Sequence, residues 1–254
     1  MAVRYEVLDG NAIITIDRPE ARNAISPAVA SGIEVGVDRA EADAGVAVMI
    51  LTGVPPVFCA GADLKAVGAG RAAELSTERG GFAGVAGRKR AKPLIAAVDG
   101  PALAGGTEIV LACDLVVAST AARFGIPEVK RGLAAAGGGL FRLARKLPEN
   151  LAMELALTGD PIDAELAHRY RLVNRLCEPG RALEEALALA ARIAVNAPLA
   201  VRESRAVLLE ATYRPDAEGW ERSRVANDRL LATDDVREGV AAFVEKRAPV
   251  WAGR

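Results

Sequence analysis

Two glutamates stand where a carboxyl group could exchange protons. Glu108 follows the Gly105-Gly106 pair and precedes a run of apolar residues, and Glu128 follows Pro127 in "ARFGIPEVKRGL". Burial of a carboxyl group raises its pKa towards neutrality, which suits general acid–base chemistry. The residues alone leave a second interpretation open, in which Glu108 is an N-terminal helix charge and Glu128 is a surface turn residue.

Two glycine turns could supply backbone donors for the same chemistry. In "VFCAGADLK" a strand ends, Gly61 permits a tight bend and a helix starts near Ala62, and in "ALAGGTEIV" Gly105-Gly106 precedes another helix start. The first N–H groups of a helix have no internal partner, so these donors could converge on one oxygen. Such an oxyanion hole lowers a reaction barrier by roughly 3–4 kcal/mol per donor. Each turn on its own could also be an ordinary glycine bend.

Other catalytic chemistry is disfavoured by the residue types present. His168 is the only histidine, which argues against Ser-His-Asp and Cys-His catalysis and against a histidine metal centre. It is predicted to be a surface or helix-end residue. Cys59, Cys113 and Cys177 lie far apart, so we predict neither a metal site nor a disulfide framework. The sequence contains no P-loop motif for binding phosphates.

Composition and charge narrow the class of protein. The 254 residues include 32 Lys+Arg and 33 Asp+Glu, for a net charge of −1, which argues against a broad nucleic-acid-binding surface. No apolar run reaches the roughly 18 residues of a membrane span, and "MAVRYEVLDGNAIITIDRPE" is typical of a strand pair rather than a signal peptide. With three free thiols, these features predict a soluble, cytoplasmic protein that binds neither nucleic acid nor membrane.

The pattern of elements predicts an α/β fold. Two short strands flank the Asp9-Gly10-Asn11 turn, and Ser26-Pro27 opens a helix that continues to about Asp43. The apolar runs "VAVMILTG", "PLIAAVDG" and "DLVVAS" are typical of parallel strands buried on both faces and joined by crossovers. From about Glu149 helical patterns dominate. We therefore predict a β/α core over residues 1–194 and a helical region over residues 195–254.

Five segments together resemble the enoyl-CoA hydratase (crotonase) family. They are "RPEARNA", "FCAGADLK", "GPALAGGTEIVLACDLVVAS", "ARFGIPEVKRGLAAAGG" and "DDVREGVAAFVEKR", and the resemblance runs from the first strand to the last helix. It implies a crotonase-like ββα spiral with a helical C-terminal region that serves trimerisation and CoA contacts. It also implies assembly as a homotrimer or as a hexamer of two trimers.

The same resemblance implies an acyl-CoA site. The N–H groups of Ala62 and Gly105 would bind the thioester carbonyl, and Glu108 and Glu128, which have the family's hydratase spacing, would be the two catalytic glutamates. CoA would enter as part of the substrate, with no separate cofactor. The implied substrate- and CoA-binding residues are Arg22, Ala24, Ala60, Ala62, Asp63, Leu64, Lys65, Gly105, Pro127, Phe243 and Lys246.

Because both glutamates are present, the expected reaction is hydration of a trans-2-enoyl-CoA to a 3-hydroxyacyl-CoA. Glu108 is expected to be the base on water and Glu128 the acid to C2. Three alternatives stay open: carnitinyl-CoA dehydratase-like chemistry, double-bond isomerisation, and a non-catalytic relative that binds RNA or a partner. The chain departs from the family at Ala104, where glycine is common, and at Pro101, where an aromatic residue is common. The variable segment 70–90 resembles those that line acyl sites, so the acyl chain length stays open.

Overall fold

The computed structural model describes residues 2–254, which form two compact units. One unit comprises the described residues up to 90 together with residues 94–190, and the other comprises residues 91–93 and 191–254. The roles predicted for the core and for the helical region stay predictions.

The described chain contains eleven strands and ten α-helices. The strands are β1 (Val3–Leu8), β2 (Asn11–Ile16), β3 (Val48–Gly53), β4 (Ser76–Thr77), β5 (Gly81–Phe82), β6 (Leu94–Val98), β7 (Ala102–Leu103), β8 (Leu115–Ser119), β9 (Arg123–Gly125), β10 (Ile162–Asp163) and β11 (Arg175–Cys177). The helices are α1 (Pro27–Ala42), α2 (Leu64–Gly68), α3 (Gly105–Ala112), α4 (Gly139–Lys146), α5 (Glu149–Thr158), α6 (Ala164–Arg169), α7 (Ala182–Ala194), α8 (Pro198–Ala211), α9 (Asp216–Leu231) and α10 (Asp234–Glu245). Short 3-10 helices span Pro19–Ala21, Ala72–Leu75 and Pro127–Arg131.

The main sheet has six strands in the order β1-β2-β3-β6-β8-β11. The first pair is antiparallel and all the others are parallel. Every residue of β2, β3 and β6 is buried, as expected for strands covered on both faces. The predicted parallel core is therefore confirmed.

Local signals fix the first elements as predicted. Leu8 pairs with Asn11 across the hairpin, and Asp9 and Gly10 between them both have positive φ. The Ser26 side chain accepts a hydrogen bond from the Val29 N–H at the start of α1, which satisfies a donor that the helix itself cannot.

A smaller sheet has three strands in the order β10-β9-β7. Its strand β7 comes shortly before α3 in the sequence. Strand β7 pairs in parallel with β9, placing Leu103 opposite Gly125. The Thr107 hydroxyl donates to the Ala102 carbonyl over 2.7 Å and accepts from the Gly125 N–H over 2.9 Å. This buried hydroxyl thus ties α3 to the two strands that enter the candidate site.

The second unit is built around helices α8, α9 and α10. The Trp251 indole N–H donates to the Val195 carbonyl over 2.8 Å. The buried Asp235 carboxylate accepts from the Ala252 N–H over 2.7 Å. The C-terminal residues are therefore held to this unit by hydrogen bonds.

Three elements differ from the sequence-based expectation or were not predicted. Helix α9 was not predicted, and strands β10 and β11 interrupt a stretch for which helices were expected.

His168 lies in the last turn of α6, with Nδ1 3.0 Å from the Val173 carbonyl oxygen. Among the described helices, none combines the length and the apolar character needed to cross a membrane.

Candidate active site

The first glycine turn leads from Cys59 to Asp63. The Ile25 N–H donates to the Gly61 carbonyl over 2.8 Å, and the Asp63 N–H donates to the Ile25 carbonyl over 2.9 Å. This parallel bridge between Ile25 and Ala62 directs the Ala62 N–H to the opposite side of the turn. There the Ala62 N–H has no acceptor in the part of the chain that the structure describes.

The second glycine turn is formed by Ala104 and the start of α3. The Ala104 N–H donates to the Gly125 carbonyl over 2.9 Å, which fixes the turn to β9. Helix α3 begins at Gly105 itself, so the Gly105 N–H belongs to the first turn and has no helical acceptor. No described residue accepts from it.

The two turns touch each other. A Cβ placed on Gly61 would lie 2.9 Å from the Gly105 nitrogen, and one placed on Gly105 would lie 3.3 Å from the Gly61 Cα. A Cβ on Gly106 would lie 2.1 Å from the Cys59 carbonyl oxygen. Only glycine permits this approach, which brings the two turns that carry the unpartnered Ala62 and Gly105 N–H groups into contact. Their action on a substrate oxygen stays a prediction.

Ala104 occupies a strained backbone conformation, and we expect its replacement by glycine to stabilise the protein. Its φ of 52° and ψ of −127° cost a non-glycine residue about 1–3 kcal/mol, and the larger entropy that glycine loses offsets about 0.5–1 kcal/mol. Ala104→Gly should therefore raise Tm by about 2–4 °C, the shift that about 1 kcal/mol produces in a chain of this size. Scanning calorimetry measures it.

The control for this prediction is Ala144→Gly, the same substitution at an exposed position inside α4. It should lower stability by about 1 kcal/mol, because glycine is a poor helix former. Equal losses of Tm in the two variants would show that Ala104 is not strained.

Glu108 lies in the first turn of α3 and only 4% of its surface is exposed. Its Oε1 accepts from the Gly139 N–H over 2.9 Å, and a Cβ on Gly137 would lie 2.7 Å from its Oε2. Burial raises the pKa of Glu108, while the N–H groups of Gly139 and Gly137 and the charge of Arg142 oppose that rise. Glu108 is thus a buried carboxyl group with donors for its ionised form.

Glu128 is the second residue of the 3-10 helix Pro127–Arg131. Its Oε2 is buried and has no hydrogen-bond partner. Burial raises the pKa of Glu128, and the charge of Glu108 raises it further against opposing contributions from its own backbone N–H and Arg131. The structure therefore brings the two predicted glutamates within electrostatic range and gives them different surroundings.

Because of this burial, Glu128→Gln should stabilise the protein at neutral pH but not in acid. A carboxyl group whose pKa is raised by folding stabilises the fold fully below its unfolded pKa, and that contribution is lost as pH rises through the folded pKa. Glutamine stays neutral and avoids the loss. We expect Tm to rise by about 2–4 °C at about pH 7.5, for about 1 kcal/mol.

Thermal unfolding at about pH 7.5 and about pH 4 tests this prediction, since the gain should vanish at the lower pH. The exposed Glu149, at the start of α5, provides the matched control Glu149→Gln. An equal Tm difference for Glu128→Gln at both pH values would contradict the expectation.

Most of the predicted CoA-binding residues come together around the first turn. The Ala60 N–H donates to the Arg22 carbonyl over 3.1 Å, which joins the "RPEARNA" turn to the glycine turn. Asp63 caps α2 by accepting from the Lys65 N–H over 3.0 Å, and Leu64 beside it is 58% exposed. Their contact with CoA stays a prediction.

Arg18 and Asn23 support the residues around the first glycine turn. Neither residue was singled out from the sequence. The Arg18 guanidinium donates to the Ala24 carbonyl over 2.9 Å and to the Asp63 carboxylate over 3.1 Å. The fully buried Asn23 amide donates to the Val54 and Val57 carbonyls. The available signal was the asparagine in the "RPEARNA" turn, since asparagine is enriched at positive φ, and Asn23 has a φ of 56°.

Phe82 is a further residue that was not singled out. It ends the β4–β5 hairpin, and a Cβ on Gly105 would lie 2.4 Å from the Cζ of its ring. The ring therefore lies in van der Waals contact with the second turn. Phe82 therefore brings one residue of the segment 70–90, which was expected to line an acyl site, against Gly105.

Phe243 and Lys246 belong to the second unit. Phe243 is 85% exposed near the end of α10, and Lys246 follows that helix at a φ of 55°. Their contact with CoA stays a prediction.

The three cysteines have no disulfide partner. Cys59 stands in the first glycine turn, where its Sγ accepts from the Gly61 N–H over 3.4 Å. Burial raises the pKa of Cys59 and of Cys113 to about 12 and that of Cys177 to about 11. These thiols are therefore protonated near neutral pH, and the thiol is a weaker nucleophile than the thiolate.

Comparison with known proteins gives matches along almost the whole chain. The enoyl-CoA hydratase/isomerase family model matches residues 7–254. An enoyl-CoA hydratase of Mycobacterium tuberculosis is 40% identical over 248 residues, covering 95% of this chain and 93% of that protein. A carnitinyl-CoA dehydratase of Salmonella typhi is 38% identical over 247 residues, covering 95% and 94%. The crystal structure of an enoyl-CoA hydratase from Mycobacterium tuberculosis H37Rv is 48% identical, with a TM-score of 0.95 and coverage of 100% and 99%.

Proposed function

This chain belongs to the enoyl-CoA hydratase/isomerase family and has the crotonase fold, and from that membership we propose that it hydrates a trans-2-enoyl-CoA. Water would add across the 2,3 double bond to give a 3-hydroxyacyl-CoA. The observation that carries this proposal is the pair Glu108 and Glu128, a buried and a half-buried carboxyl group, in which the charge of Glu108 raises the pKa of Glu128. Hydration needs one proton acceptor and one proton donor, and this pair can supply both.

The surroundings of the two carboxyl groups support distinct roles. Burial raises the pKa of Glu108, but the Gly139 N–H and the charge of Arg142 oppose that rise and favour its ionised form. Glu128 has a buried oxygen without a donor and feels the charge of Glu108, which favours its protonated form. A pair that shares one proton titrates as a unit, so the active form carries a single proton.

In the proposed reaction, the N–H groups of Ala62 and Gly105 bind the thioester oxygen and draw electrons from the conjugated double bond. The Glu108 carboxylate takes a proton from water as the water oxygen bonds to C3. Electrons move from the C2–C3 double bond onto the thioester oxygen. The enolate then reforms its carbonyl as the Glu128 carboxyl gives its proton to C2. A proton passing back from Glu108 to Glu128 restores the pair.

Hydration is redox-neutral, and the scheme uses CoA only as part of the substrate. The turn residues Arg22, Ala24, Ala60 and Asp63–Lys65 would bind the CoA portion. We also propose a homotrimer or a hexamer, in which Phe243 and Lys246 reach the CoA of a neighbouring subunit. Sedimentation velocity tests the assembly, and a monomer would contradict it.

The test of activity is loss of the conjugated thioester absorbance with crotonyl-CoA and with a longer trans-2-enoyl-CoA. Mass spectrometry should then find a product heavier by one water. The family assignment would survive inactivity on both substrates, but the proposed reaction would not.

Carnitinyl-CoA dehydration is a second candidate, because a carnitinyl-CoA dehydratase is among the close relatives. The same two carboxyl groups could run that elimination, so a panel including carnitinyl-CoA distinguishes the two reactions. An isomerase would move the double bond without adding water, and a non-catalytic relative would turn over neither substrate.

A further inference from the structure

Arg142 lies in the first turn of α4, and its guanidinium turns back across the glycine turn before that helix. Nη1 donates to the Gly137 carbonyl over 3.3 Å, and Nη2 donates to the Ala86 carbonyl over 2.6 Å. Gly138, the residue after Gly137, has a φ of 100°, and a Cβ placed on it would lie 2.1 Å from Arg142 Nη1. The guanidinium therefore rests directly on the Gly138 backbone and joins two separate segments.

The first of these segments, Gly137–Gly139, contacts the Glu108 carboxylate. Gly139 donates its N–H to the Glu108 Oε1 over 2.9 Å, and the Gly137 N–H acts with it to lower the pKa of that carboxyl group against the effect of burial. Because Arg142 bonds the carbonyl of Gly137, it restrains the peptide group next to the one whose N–H bonds the carboxylate.

The second segment carries Phe82. The Ala86 N–H donates to the Phe82 carbonyl over 3.0 Å, and the Gly87 N–H closes the turn by donating to the Gly80 carbonyl over 2.8 Å. The Phe82 ring contacts Gly105, whose N–H is one of the two free donors. Arg142 thus links the wall that holds Glu108 to the wall that lies on the second glycine turn.

We infer that Arg142 is a positioning residue, whose guanidinium holds the Gly137–Gly139 turn against the Ala86 turn and so fixes the Glu108 carboxylate for proton transfer. Its role in catalysis rests on the proposed hydration, but its hold on Glu108 does not. The charged groups that face Glu108 are Arg142 from α4 and Glu128 from the 3-10 helix. Loss of the Arg142 cation and loosening of the N–H donors should both raise the pKa of Glu108.

The experiment compares Arg142→Met, Arg142→Lys and a matched control, Arg145→Met. Arg145 lies on the same helix, and its guanidinium, like that of Arg142, lies over the Phe141 ring. The Glu108 pKa is measured in the free protein by 13C NMR of labelled glutamate side chains, assigned with Glu108→Gln. The kcat, the KM and the pH profile for crotonyl-CoA are measured in parallel.

Arg142→Met should raise the Glu108 pKa by about half a unit or more and lower kcat by about 10–100-fold, with a much smaller change in KM. The acidic limb of the pH profile should move up with the NMR value. Arg142→Lys keeps the charge but cannot bond both carbonyls in the same way, so it should restore part of the pKa and little of kcat. Arg145→Met should match the wild type.

An unshifted Glu108 pKa in both a folded Arg142→Met and a folded Arg142→Lys overturns the inference, whatever happens to kcat. Should Arg142→Met fail to fold, the Glu108 pKa of Arg142→Lys measured by NMR decides in its place. If the wild type hydrates no substrate, the proposed function fails while the NMR measurement still tests whether Arg142 controls Glu108.

Discussion

Glu108→Gln is expected to lower kcat for crotonyl-CoA hydration by about 10³-fold, within the range of general acid–base catalysis. Glutamine cannot take a proton from water, yet its amide oxygen can still accept from the Gly139 N–H that now bonds Oε1 over 2.9 Å. The loss should therefore fall on the chemical step, with CoA binding and thermal stability largely kept. The absorbance assay measures kcat, and calorimetric titration with CoA measures CoA binding.

Glu128→Gln should lose activity by a similar factor of about 10³, because the variant cannot donate a proton to C2. The exposed Glu149 supplies the control Glu149→Gln, which should keep full activity. Retention of more than about a tenth of kcat by either active-site variant would remove that glutamate from the mechanism. Activity lost together with CoA binding would instead indicate a damaged site.

Gly61→Ala is expected to lower kcat by about 10²–10³-fold, the effect of losing one oxyanion donor. The new Cβ would lie 2.7 Å from the Ala104 Cβ and 2.9 Å from the Gly105 nitrogen, so the two turns must separate. The Ala62 and Gly105 donors would then no longer meet one oxygen. Because the proposed hole would be complementary to the charge of the enolate, kcat should fall more than KM rises.

The substitution would also strain the backbone, since Gly61 has a φ of 94°. Strain is therefore a second cause of lost activity that must be separated from contact between the turns. Gly70→Ala separates the two causes, because Gly70 has a φ of 73° and nothing lies within 4 Å of its Cβ position. It should lose some stability and keep its activity. Equal loss of kcat in both variants would argue against contact between the turns as the reason.

The elements that the sequence predicted well are those with short-range signals. The Asp9-Gly10 turn, the Ser26 cap and the uninterrupted apolar strands each depend on neighbours in the chain, and the structure has them as predicted. Helix α9 was missed because Ala226 is its one buried described residue, so it has almost no apolar stripe to recognise.

The residues of the candidate site also differ in whether a short-range signal in the sequence marks them. Gly61, Gly105 and Glu108 stand beside recognisable turns, so their positions could be anticipated. Arg142 and Phe82 could not, because their partners lie far away in sequence: Ala86 for the first and Gly105 for the second. A contact between distant segments depends on the folded arrangement of both.

The raised pKa values of the three native thiols have a practical consequence for labelling. With pKa values of about 11 to 12 for Cys59, Cys113 and Cys177, little thiolate exists near neutral pH to react with a maleimide. A single cysteine introduced at the exposed Leu64 would therefore take up a fluorophore selectively. The native protein, with all its cysteines in place, is therefore already a suitable background for site-specific labelling at this turn.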